Sequence, residues 1–131
     1  MTENIKLDSE QLARAVAELA DARKADRIVV LDVRAISSIT DFFVIASGNS
    51  DPHLRAIADE VSVGMKKGHG VTAFSDGVAA SAWVVLDYFD VIVHIMREDI
   101  REKYKLESLW GDAPRLELKL GAASRPPVSA R

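Results

Sequence analysis

Trp83-Val84-Val85-Leu86-Asp87-Tyr88-Phe89-Asp90-Val91-Ile92-Val93-His94-Ile95 decides the fold. Two apolar runs rich in Val, Ile, Leu and Trp flank Asp-Tyr-Phe-Asp. Such residues suit a pleated, half-buried surface, so each run reads as a strand. The break between them fits a hairpin with its turn at Tyr88-Phe89. In that register Trp83 faces His94, Leu86 faces Val91 and Asp87 faces Asp90. Side chains alternate along a strand. One hairpin face is then Val84, Leu86, Val91, Val93 and Ile95, a core face. The other carries Trp83, Val85, Ile92 and His94 and ends in two acids, which suits either a docking surface or a second core layer. Primed hairpin turns need positive φ, which Phe resists, so Phe89 is strained, or the turn is not primed, or the loop is longer.

Working outward, Asp8 with Gln11 forms a capping-box pattern ahead of a helix carrying Leu12, Val16 and Leu19 on one face and ending near Lys24. Ile28–Val33 and Phe42–Ala46 read as strands joined by a connection through Ser37-Ser38-Ile39-Thr40-Asp41. Ser50 or Asp51 caps a second helix with Pro52 at its start. Its apolar residues Leu54, Ile57, Ala58, Val61 and Met65 fall at helical spacing. Val71–Ser75 reads as a short strand, with a loop over Asp76–Ala80. A third helix starts at Asp99 and buries Ile100, Tyr104 and Trp110. This order predicts a single α/β domain over 1–113, a mixed sheet of about five strands with flanking helices. The helix between the second and third strands predicts a parallel crossover. Residues 114–131 form a basic tail, mostly disordered, in which Arg115–Leu120 has the alternation of a weak edge strand.

A length of 131 residues fits one domain with a real core. There is no cysteine, which excludes disulfides and thiol chemistry and fits a reducing cytosol. No uncharged run approaches the ~18 residues of a membrane span, and the start lacks the order of a signal peptide. The net charge of −3 is uneven: 20 acids oppose 17 bases overall, while residues 113–131 hold one acid and four bases. An acidic body repels phosphate backbones and suits a basic protein partner, or simply solubility.

Ser47-Gly48-Asn49-Ser50 before a helix N-terminus has the position of an anion cradle but not the glycine spacing of phosphate loops, so a capped turn is the simpler reading. Asp87 and Asp90 form a poor metal site by themselves, since Mg²⁺ needs further oxygen ligands. His53, His69 and His94 lack metal-ligand spacing, and no nucleophile elbow is present. No catalytic residue, metal or cofactor is expected. Trp83, Tyr88 and Phe89 cluster near the hairpin tip, and interfaces favour such aromatics.

The chain resembles the ribosomal silencing factor family, RsfS or Iojap. The resemblance rests on Ser37-Ser38-Ile39-Thr40-Asp41-Phe42-Phe43-Val44-Ile45-Ala46-Ser47-Gly48, then Ala56-Ile57-Ala58, then Trp83–Tyr88 with Asp90–His94, then Tyr104-Lys105-Leu106-Glu107-Ser108-Leu109-Trp110. These pieces run in consistent order across residues 10–113. The resemblance implies an α/β fold of nucleotidyltransferase-like shape without catalysis. It implies a cytoplasmic translation factor that binds the large ribosomal subunit through its protein number fourteen, blocks joining of the small subunit and represses translation when nutrients are scarce. It also implies self-association as a homodimer. The implied partner-binding residues are Trp83, Leu86, Asp87, Tyr88, Asp90 and His94, with no membrane and no sequence-specific nucleic acid as partner. Phe89 stands where the family often has glycine, His53 where Gln or Arg is common, and Ser81-Ala82 replaces a usual glycine or acid. The alternatives are a nucleotidyltransferase-like enzyme using Asp87 and Asp90 with Mg²⁺, or an adaptor for large-subunit assembly.

Overall fold

The computed structural model describes residues 7–73, 75–78 and 82–120. The polar start 1–6, residues 74 and 79–81, which include the end of the expected loop, and the expected disorder of 121–131 lie outside the described residues. The order of elements is α1 (Ser9–Ala22), β1 (Asp26–Asp32), β2 (Phe42–Gly48), α2 (Asp51–His69), β3 (Ser75–Val78), β4 (Trp83–Asp87), β5 (Val91–Arg97), α3 (Glu98–Tyr104) and a 3₁₀ helix (Leu106–Trp110).

The sheet is mixed, in the order β1-β2-β5-β4-β3. β1–β2, β5–β4 and β4–β3 are antiparallel, and β2–β5 is parallel. The chain leaving β2 through α2 therefore returns as β3 running parallel to β2, as the predicted crossover has it, but at the far edge of the sheet and not beside β2. The β4–β5 hairpin lies between them, and the parallel neighbour of β2 is β5. The third strand also begins at Ser75, where its pairing with Asp87 starts, and not at Val71, and it takes in Asp76–Val78, the first part of the expected loop, which pairs with β4 instead. β2 is buried along its whole length, Phe42 to Gly48, as a central strand covered on both faces should be.

Both long helices pack on one face. Asp8 and Gln11 form the capping box of α1. Leu12, Ala13, Val16, Ala17 and Ala20 of α1 and Leu54, Ile57, Val61 and Met65 of α2 join Val44, Val84, Leu86, Val91, Val93 and Ile95 in the main core. The two helices approach closely at Gly64, where an added Cβ would sit 2.5 Å from Leu19 Cδ2. α2 ends on Gly70 at φ 69°, a left-handed cap that glycine adopts without strain.

The hairpin keeps its predicted faces but not its register. Trp83 pairs with Met96, Val85 with His94, Leu86 with Val93 and Asp87 with Ile92. The register is two residues away from the expected one. A slip of two preserves which side chains face inward, whereas a slip of one would invert them. The turn is Phe89-Asp90, because Tyr88 extends β4's inward set and its N–H donates to Val91 O at 2.8 Å. Phe89 sits at φ 77° with its ring exposed. Asp90 N donates to Tyr88 O at 2.9 Å, an i→i+2 bond that closes a γ-turn about Phe89, so the strained alternative is the one the hairpin adopts.

The third helix also differs from expectation. Lys105 adopts a left-handed conformation, φ 46° and ψ 50°, and splits the segment into α3 and the 3₁₀ helix. Tyr104, expected to be buried, is 54% exposed. Part of the expected tail, Pro114 to Leu120, runs along β1. Asp32 N donates to Pro114 O and Leu116 N to Val30 O, and Leu116, Leu118 and Leu120 pack against the main core.

Candidate docking face

The second face of the sheet is built differently. Leu31, Val33, Phe43, Ile45 and Met96 form a smaller cluster with Trp83, Ile92, Ile100, Leu106 and Trp110. Trp83, Val85 and Asp87 of β4 and Ile92 and His94 of β5 are half-buried here. Trp83 Nε1 donates to His94 Nδ1 at 3.1 Å. The two residues are diagonal neighbours on one face, not directly opposed, and diagonal pairs are within reach of aromatic side chains. An indole N–H can only donate, so His94 Nδ1 accepts and its ring is neutral, with the proton on Nε2. Burial pushes the His94 pKa down to about 4.

Rings continue outward from this pair. Trp83 lies 5.4 Å from Tyr104, and Phe43 lies 5.7 Å from His94 and 5.1 Å from Trp110, all tilted. Below the array, Arg101 is buried. It makes a two-pronged contact with Glu107 at 3.0 and 2.9 Å and donates to Ser47 Oγ at 2.8 Å. This contact holds Glu107 below the usual carboxylate range. Exposed Arg27 also reaches α3, bonding Glu98 and, at 2.6 Å, Glu102.

The residues singled out from sequence do not share one surface. Trp83, Asp87 and His94 lie together on the outer face. Leu86 and Tyr88 point the opposite way into the main core, 1% and 6% exposed. Asp90 is exposed in the turn, and its carbonyl accepts from the N–H groups of Asp41 and Phe42. Asp87 Oδ1 accepts from Phe89 N at 2.8 Å, a turn-stabilising role. Among the described residues, no three or more His, Cys, Asp or Glu side chains come together as metal ligands.

Ser47–Ser50 is a capped turn. Ser50 Oγ accepts from His53 N, Asn49 N donates to His53 Nδ1, and His53 Nε2 lies 2.8 Å from Arg23 O. The N–H groups of Asn49 and His53 are thus occupied within the chain, and His53 links α2 to the end of α1. Ser37 Oγ accepts from Ile39 N and Thr40 N, a local turn role. Sequence reading missed Phe43, Arg101 and Glu107 as parts of this face. Arg101 gave no signal, since a charged residue on a short helix is ordinarily solvated.

No described helix is long and apolar enough to cross a membrane. Residues 6–130 match the family described as "Ribosomal silencing factor during starvation". The chain is similar to the ribosomal silencing factor of Halalkalibacterium halodurans, with 38% identity over 86% of this chain and 97% of that protein. It is also similar to the Bacillus subtilis ribosomal silencing factor, with 35% identity over 88% of this chain and 98% of that protein. A crystal structure of a Chromobacterium violaceum protein superposes with a TM-score of 0.77 and 28% identity, covering 90% of this chain and 98% of the other. The family match over residues 6–130 and relatives 35–38% identical along nearly their whole length agree, and this protein belongs to the ribosomal silencing factor family.

Proposed function

We propose that the protein is a non-enzymatic silencing factor that docks on the large ribosomal subunit through its protein number fourteen. Occupying that surface denies it to the small subunit and represses translation when nutrients are scarce. The factor acts in the cytoplasm and self-associates as a dimer, and its outline is nucleotidyltransferase-like without the catalysis. The observation that carries this reading is Trp83, half-buried on the outer sheet face and fixed by its hydrogen bond to a neutral His94. A preset aromatic loses little rotamer freedom on binding, which is what an interface anchor requires. Asp87 beside it and Asp90 at the turn supply charge for basic side chains of the partner. Leu86 and Tyr88 act from below, by holding the hairpin against the core.

Co-sedimentation with purified large subunits at moderate salt tests the binding, and a subunit-joining assay tests the block. Wild-type protein is expected to travel with mature large subunits and to lower the yield of joined ribosomes. Failure to co-sediment would overturn the reading. Binding to precursor particles alone would favour a role in assembly.

A further inference from the structure

We infer that the docking face does not end at the hairpin but continues through the C-terminal helical segment, with the Arg101–Glu107–Ser47 contact as the device that positions it. This inference rests on the proposed ribosome docking and extends it. Five rings run unbroken across the face in the order Tyr104, Trp83, His94, Phe43, Trp110, with neighbouring centroids 5.1 to 6.0 Å apart. The two terminal rings come from α3 and the 3₁₀ helix, and the middle three from the sheet. Tyr104 and Leu109 are 54% and 72% exposed, so the helical segment adds apolar surface that the described residues leave uncovered.

Such short helices, broken by a left-handed Lys105, have little stability of their own. Arg101 supplies what the local sequence lacks. Its side chain is fully buried, and its fork reaches Glu107 across the Lys105 break and Ser47 on β2. One guanidinium therefore ties α3, the 3₁₀ helix and the sheet into one body, setting Tyr104 and Trp110 relative to Trp83. A bidentate guanidinium fixes direction as well as distance, which a lysine ammonium does not.

The occupant is a basic protein surface with apolar side chains among its charges. Residues 83–112, which form hairpin, α3 and 3₁₀ helix, hold seven acids against four bases. That balance attracts a basic protein and repels a phosphate backbone.

The test titrates full-length variants against purified large subunits and, separately, against protein-free ribosomal RNA. Tyr104→Ala and Leu109→Ala are expected to weaken large-subunit binding about tenfold each while leaving the unfolding midpoint near wild type. Val63→Ala, an exposed apolar truncation on α2, is the control and should bind as wild type does. Arg101→Lys is expected to weaken binding about tenfold as well. In a Trp83→Phe background, where Trp110 is the sole tryptophan, Arg101→Lys should also shift its emission to the red. Wild-type affinity for both Tyr104→Ala and Leu109→Ala would overturn the extended face. Arg101→Lys that lowers the midpoint but leaves affinity and Trp110 emission unchanged would reduce the contact to a purely structural one and overturn its positioning role. Equal affinity for bare RNA would overturn the protein occupant. Failure of wild-type protein to bind large subunits is a separate outcome that removes the underlying docking proposal.

Discussion

The two faces of the sheet show what the same strands do under different demands. The helix-covered face is filled by aliphatic side chains and buried tightly, with Ile57, Val61, Met65, Val91, Val93 and Ile95 inaccessible to solvent. The outer face uses rings, a neutral histidine and a buried ion pair, and is only half covered. Aliphatic packing maximises apolar area removed from water, and it supplies stability. An aromatic face with polar handles is a poorer core and a better interface, since Trp and Tyr combine large contact area with hydrogen-bonding edges. Adjacent residues of β4 therefore divide the work, Leu86 facing the first and Trp83, Val85 and Asp87 the second.

Leu86→Ala should break the comparison most strongly. Truncating a buried leucine on the helix side is expected to cost about 3 kcal/mol in urea unfolding. A loss well under ~1 kcal/mol would mean that the helix-covered face is not the stabilising one.

His94 gives the second largest effect, through pH. Its folded pKa of about 4 lies below the ordinary histidine value of 6.5. Between those values the unfolded chain takes up a proton that the native chain refuses. The contribution is therefore complete above pH 6.5 and is lost as pH falls towards 4, by up to roughly 3 kcal/mol. His94→Gln should flatten the slope between pH 6.5 and 5, above the range where the depressed Asp32 and Glu107 carboxylates lose their contributions. An unchanged slope in that variant would show that the outer face does not hold His94 neutral.

Phe89→Gly sharpens the comparison at the hairpin tip. A non-glycine residue at φ 77° costs about 1 kcal/mol relative to glycine. The variant should raise the free energy of unfolding by that amount, and a lower value would show that ring contacts outweigh the strain.

The two faces were unequally legible in the sequence. Alternation in Val84, Leu86, Val91 and Val93 identified the core face, and it survived a two-residue error in register because side-chain direction has a period of two. Tyr88 misled because a polar-tipped aromatic beside Phe and Asp reads as turn, whereas its ring joins the core. The helical faces of α1 and α2 were plain from periodicity. The aromatic array was visible only in part. Trp83 and His94 share a hairpin, but Phe43, Tyr104 and Trp110 reach them through tertiary packing that no local pattern encodes. Arg101 was invisible for the same reason. Its partners Glu107 and Ser47 lie across a helix break and on another strand.

The most direct measurement compares wild type and Trp83→Ala in a subunit-joining assay, after circular dichroism shows both are folded. The account predicts that wild type blocks joining and that Trp83→Ala requires about thirtyfold more protein for the same block, the equivalent of ~2 kcal/mol. Equal potency of a folded Trp83→Ala variant would contradict docking through the outer face.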